Sequence, residues 1–119
     1  MFYYANEFNQ PIGGWDVSSV TDMGKMFYCA DNFNQSISSW DVSNVTNMEQ
    51  MFSYTLKFNQ PIREWDVSKV INMTEMFNNA LSFNQDISNW SINDKANINK
   101  MFEQCPIKRR YKSKKTKRK

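Results

Sequence analysis

Asp16, Asp41 and Asp66 recur 25 residues apart, each inside the tetrapeptide Trp-Asp-Val-Ser. A column of carboxylates can attract a cation or a basic partner. Alternatively, each carboxylate can close a local turn onto the backbone near Ser18, Ser43 or Ser68. On adjacent extended segments the three would stand ~4.8 Å apart and repel by about 1 kcal/mol or less in water. One carboxylate per repeat is too sparse for a calcium loop, so no metal site is expected. A second group is aromatic: Tyr3, Tyr4, Tyr28 and Tyr54 all fall in the first three repeats. Tyrosine is favoured at interface hot spots, so these residues read either as a contact patch or as partial packing between neighbouring elements.

The third group is basic. Residues 108–119, KRRYKSKKTKRK, hold nine of the 15 lysines and arginines: Lys108, Arg109, Arg110, Lys112, Lys114, Lys115, Lys117, Arg118 and Lys119. This density suits a phosphate backbone or a nuclear-localisation signal. It also suits a solvated tail, or one folded back onto an acidic body. Tyr111 is its single aromatic, so nucleic-acid binding would be non-specific. The preceding 107 residues carry six basic and 12 acidic side chains, net −6, so the overall +3 sums two unlike parts.

Catalysis has no footing. The chain has no histidine, and Gly13, Gly14 and Gly24 form no phosphate loop. Cys29 and Cys105 have no basic neighbour in sequence. A non-enzymatic protein without cofactor is expected. The two cysteines, 76 residues apart, would lie ~14 Å from each other in a stack rising ~4.8 Å per repeat, beyond disulfide reach, so two free thiols are expected.

These groups are positioned by a strict period. Phe-Asn-Gln begins at Phe8, Phe33, Phe58 and Phe83; Trp stands at 15, 40, 65 and 90; Met-Phe begins at 1, 26, 51, 76 and 101. A 25-residue period marks a stacked-repeat architecture. Trp15, Val17 and their equivalents alternate with polar residues, as in a half-buried strand. Val45, Met48, Phe52, Thr55 and Phe58 then step by three and four, as on one face of a helix. Thr46 with Glu49, and Asn72 with Glu75, read as capping boxes. Short helices are therefore predicted at 21–30, 46–55, 71–80 and 96–105. The predicted fold is an α/β repeat solenoid of 25-residue turns, each a short parallel strand plus a short helix, coiled right-handed. It comprises four turns and a partial fifth over residues 1–107, followed by a disordered basic tail at 108–119. Residues 89–105, where Lys95-Ala96 replace the Val-Thr pair and put a lysine in an inward slot that only an end turn tolerates, read as the C-terminal cap, with Pro106 ending the last helix.

The columns of Trp, Phe and Met read as core rather than ligand platforms. The invariant Asn-Gln pairs read as hydrogen-bonding partners for stacked loops rather than a binding column. No signal peptide and no run approaching the ~20 apolar residues of a membrane span is visible, which favours an intracellular chain, cytoplasmic or nuclear, over the cell surface.

The framework Ile-x-x-Trp-x-Val-x-x-Val resembles the strand pattern of leucine-rich repeats. The longer run from Trp40 through Val45, Met48 and Met51-Phe52 to Phe58-Asn59-Gln60 is similar to BspA-type bacterial surface repeats, which also occur in mycoplasma surface lipoproteins and giant viruses. The resemblance covers about residues 1–105. It implies a leucine-rich-repeat-like, non-enzymatic scaffold, with some members acting as surface adhesins.

Two functions follow. The first is a protein-interaction module that binds through the Asp column and the tyrosines. The second is a nucleic-acid-associated or nuclear-targeted protein acting through its basic tail. Tail-driven binding would weaken steeply with salt. End-to-end self-association near residues 12–17 is a third expectation, from an open edge.

Overall fold

The structure, a computed structural model, describes residue 2 and residues 4–115. The expected α/β solenoid does not form. Among the described residues there is no α-helix and no sheet; regular structure is one 3-10 helix, Arg109–Tyr111, and isolated parallel bridges Asp22↔Asn47, Asn47↔Asn72 and Asn72↔Asn97. With no strand–helix–strand unit, the connection from which a right-handed coil would follow is missing as well.

The four segments predicted as helices are runs of turns. In the first, Met26 N–H donates to the Met23 carbonyl at 3.2 Å, Tyr28 to Lys25 at 3.1 Å and Ala30 to Phe27 at 2.9 Å. The intervening amides point to the next repeat: Met23, Lys25, Phe27 and Cys29 donate to the carbonyls of Asn47, Glu49, Met51 and Ser53 at 2.8–3.0 Å. An α-helix would direct every amide to its own i−4 carbonyl and leave no backbone bond between repeats. The turn run is paid for in backbone strain. Lys25, Cys29, Gln50, Tyr54, Glu75, Asn79, Lys100 and Gln104 all have φ between 53° and 59°, the left-handed value that the third position of a type II turn requires. Of these eight only Asn79 is of a type that adopts it readily. Turns repeating at this interval also send every third or fourth side chain inward, which is why their spacing mimics a helix. The two capping boxes are likewise replaced. Asn47 Oδ1 accepts the Glu49 amide and Asn72 Oδ1 the Thr74 amide, both at 3.0 Å.

The segments predicted as strands keep their in–out alternation without a ladder. Trp40 and Val42 are buried and Asp41 is exposed, as are Trp65, Val67 and Asp66 in turn. Turns flank them instead, closed by Trp40 N–H on Ile37 and Val45 N–H on Val42. Repeats are joined here by side chains. Trp40, Trp65 and Trp90 donate their indole Nε1–H to the carbonyls of Ile12, Ile37 and Ile62 in the preceding repeat, at 3.0–3.1 Å.

Two phenylalanine columns fill the core. Phe2, Phe27, Phe52, Phe77 and Phe102 stack at 5.5–5.7 Å, and Phe8, Phe33, Phe58 and Phe83 at 5.8–6.0 Å. Burying one such ring stabilises by about 1.5–3 kcal/mol. The methionines Met48, Met51, Met73 and Met76 are fully buried beside them. The Asn-Gln pairs are structural. Asn9, Asn34 and Asn59 each accept, on Oδ1, the backbone amide of the next repeat's Asn at 2.9 Å and the Gln Nε2 at 3.0–3.1 Å.

The C-terminal end differs from expectation in two ways. Lys95 does not enter the core. The local turn moves on by one residue, closed by Ala96 N–H on Asn93, so that Ala96 is buried and Lys95 is exposed. The last layer also continues past residue 105. Ile107 takes the next phenylalanine slot and is buried, while Tyr111 takes the next isoleucine slot, packs against the core and accepts Ile87 N–H at 2.9 Å. Lys108 N–H reaches Asn84 Oδ1 at 2.9 Å, repeating the asparagine ladder with one residue deleted. As far as Lys115, the segment expected to be disordered is thus the closing layer of the fold.

Candidate functional surfaces

The aspartate column is built by local turns. In Asp16, Asp41 and Asp66, Oδ1 accepts both the amide (3.0 Å) and the hydroxyl (2.6 Å) of the serine two residues on. The serine hydroxyl first, and the amide second, hold each carboxyl below its ordinary value of 3.8. The turn reading of these carboxylates is therefore realised, and among the described residues Oδ2 of each carries no hydrogen bond. Asp86 with Ser88 makes the same turn and lies near Arg63 and Arg110. Sequence reading passed over Asp86 because it sits in the slot of Pro11, Ser36 and Pro61, although the Asp-x-Ser signal is there.

The tyrosines form a row. Tyr4 packs edge-on to Tyr28 at 5.4 Å, and Tyr28 edge-on to Tyr54 at 6.2 Å. Tyr4 is 61% and Tyr54 42% exposed, whereas the inner phenylalanines are sealed. The Lys25 ammonium stands 5.9 Å from the Tyr28 ring. Desolvation pushes the Tyr28 hydroxyl above its ordinary range. Tyr3 lies outside the described residues.

The basic segment is divided. Lys108, Arg109, Arg110 and Lys114 are exposed. Lys115 is occupied, its Nζ donating to the carbonyls of Asn93 and Asp94 at 2.8 Å and of Ala96 at 3.1 Å. The Lys112 ammonium lies 5.1 Å from the Phe102 ring. Lys117, Arg118 and Lys119 fall outside the described residues.

Cys29 and Cys105 are free thiols. Burial raises both, Cys105 to about 11, so neither is an activated nucleophile. Among the described residues no three His, Cys, Asp or Glu side chains converge as a metal-holding group. No helix there is long and apolar enough to cross a membrane.

Together these features define a repeat protein whose layers are tied by turns and side-chain ladders and whose polar rows run across the repeats. The chain belongs to the family described as Mycoplasma protein of unknown function, DUF285, whose model matches residues 1–114. The match runs through Ile107 and Tyr111, in keeping with a closing layer built from the basic segment. No curated protein and no solved structure matches the chain.

Proposed function

We propose that the protein is a non-enzymatic interaction module whose contact surface is the row Tyr4–Tyr28–Tyr54. The observation that carries this reading is the edge-on row itself, with Tyr4 and Tyr54 exposed beside phenylalanine columns whose inner rings are sealed. A tyrosine row offers rigid apolar area with a hydroxyl at its edge, which suits protein recognition. The column of Asp16, Asp41 and Asp66 adds negative charge on the repeats, favouring a partner with a basic contact segment. The likeness to BspA-type surface repeats, some of which are adhesins, supports the same class of role.

A second reading has its own observation: Lys108, Arg109, Arg110 and Lys114 stay exposed on the closing layer, in reach of nucleic-acid phosphates. One experiment separates the two. Partner capture from a host extract is compared for the native chain, for Tyr28→Asn/Tyr54→Asn, and for Lys108→Gln/Arg109→Gln/Arg110→Gln/Lys114→Gln, with anisotropy on RNA and duplex DNA at two salt concentrations. Asn78 and Asn79 already occupy the two tyrosine slots in the next repeat, so the tyrosine variant keeps the fold. Loss of captured protein with the tyrosine variant alone is expected. Salt-sensitive nucleic-acid binding that only the glutamine variant removes would put the second reading first.

A further inference from the structure

The stack sorts the basic segment into two sets of cations. Lys112 and Lys115 are half-buried and turned toward the protein. The Lys115 ammonium donates to the carbonyls of Asn93 and Asp94 at 2.8 Å and of Ala96 at 3.1 Å, and the Lys112 ammonium stands 5.1 Å from the Phe102 ring. Lys108, Arg109, Arg110 and Lys114 are exposed. The backbone that carries them is fixed on both sides of the two arginines. Lys108 N–H donates to Asn84 Oδ1 and Ile87 N–H to the Tyr111 carbonyl, both at 2.9 Å, and Ser113 is buried. The segment's one aromatic is engaged in the same way. Tyr111 packs against the core, and its ring is faced by the Lys108 ammonium at 5.8 Å and the Arg110 guanidinium at 5.1 Å, so it is not offered to a base. Asp86, an acid near Arg110, is near Arg63 as well and is engaged by Ser88.

We infer that residues 108–114, while docked on the stack, form a fixed phosphate-binding face for a nucleic-acid duplex, with Lys108, Arg109, Arg110 and Lys114 as its contacts and Lys112 and Lys115 withheld. The inference rests on the nucleic-acid reading and gives it a geometry. Magnitudes decide for the docked state. Moving Lys115 to a phosphate would break three charge-assisted hydrogen bonds in a partly dehydrated site. It would gain one ion pair at a water-exposed surface, where such pairs contribute little. Moving Lys112 would pull the adjacent Tyr111 ring off the core. A duplex suits this face better than a single strand, because the face has no stacking platform for bases. It also suits it better than an acidic protein. A duplex presents one charge per about 1.7 Å of its axis at fixed spacing, which a fixed set of cations meets with little ordering cost on either side.

The test compares the full chain with a synthetic peptide of residues 107–119 on one DNA duplex, by anisotropy across a salt series. Each phosphate neutralised contributes about 0.9 to the slope of log K against log salt. In the peptide, Lys112→Gln/Lys115→Gln removes two contacts and should lower that slope by about 1.8. In the full chain the same pair should leave the slope unchanged, whereas Lys108→Gln/Arg109→Gln/Arg110→Gln/Lys114→Gln should lower it by about 3.6. The first pair removes the same charge whether or not the variant stays docked, so a changed slope means that these lysines reach phosphates in the native complex. Hydrogen exchange of the Ile87 amide, which donates to Tyr111, should not accelerate when duplex is added. A slope that falls in the chain as it does in the peptide would overturn the docked face and leave nucleic-acid binding standing. So would faster Ile87 exchange in the complex, or tighter binding of a single strand with the same number of phosphates. No binding by the full chain would overturn both.

Discussion

At the scale of single residues, the fold accepts local penalties to keep its layers in register. Eight turn-forming residues from Lys25 to Gln104 hold left-handed backbone that asparagine and glycine favour, yet only Asn79 is of that kind. A one-letter reading could not find them, because lysine, glutamine and cysteine carry no left-handed signal. Ser53 shows a different penalty. It is fully buried, and its Oγ has no hydrogen-bond partner among the described residues. Ser53→Ala removes an unsatisfied polar atom and little volume, so it should raise stability by about 1 kcal/mol; chemical denaturation with an unchanged or lower midpoint would show that the hydroxyl is satisfied. The paired carboxylates give a pH signature. Asp16, Asp41 and Asp66 are held below 3.8 in the fold by their serines. A depressed folded value contributes stability above the unfolded value, and that stability is lost as pH falls through the folded one. Native chain should therefore lose stability below about pH 4, and Ser18→Ala/Ser43→Ala/Ser68→Ala should flatten that acid limb in a pH series of melts. Parallel curves would contradict the assignment.

At the scale of elements, the repeat was legible and its conformation was not. The spacing of Val45, Met48, Phe52, Thr55 and Phe58 marks the inward side correctly, and all five are buried. It does not distinguish a helix from a run of turns, because both return a side chain inward every three or four residues. What decides is where alternate amides go, and that depends on the neighbouring repeat. The closing layer was missed for a related reason: nine basic residues in 12 obscured Ile107 and Tyr111 at the four-residue spacing of Phe83 and Ile87. Composition describes a solvated tail, whereas two apolar residues in register are enough to dock it. Tyr111→Ala should lower stability by about 1–2 kcal/mol through lost ring packing, read from thermal unfolding. A disordered segment would show no change. Truncation after Ile107 is accordingly a poor test of nucleic-acid binding, since it removes the partner of Ile87 together with the charge.

At the scale of the whole molecule, the basic segment is part of the stack rather than an appendage to it. Ile107, Lys108 and Tyr111 continue its ladders, and Lys115 donates to the carbonyls of Asn93, Asp94 and Ala96. The sequence by itself determined the period, most of the inward-facing positions and the structural role of the Asn-Gln pairs, and it offered the local turns of the aspartates as one of two readings. Each of these depends on residue type and on spacing within one repeat. Only the tertiary structure decided that the amides alternate between their own turn and the next layer, that Lys95 turns outward, and that the basic segment closes the stack. Those outcomes depend on which donor meets which acceptor across 24 to 26 residues, and a local pattern of residue types carries no information about that pairing.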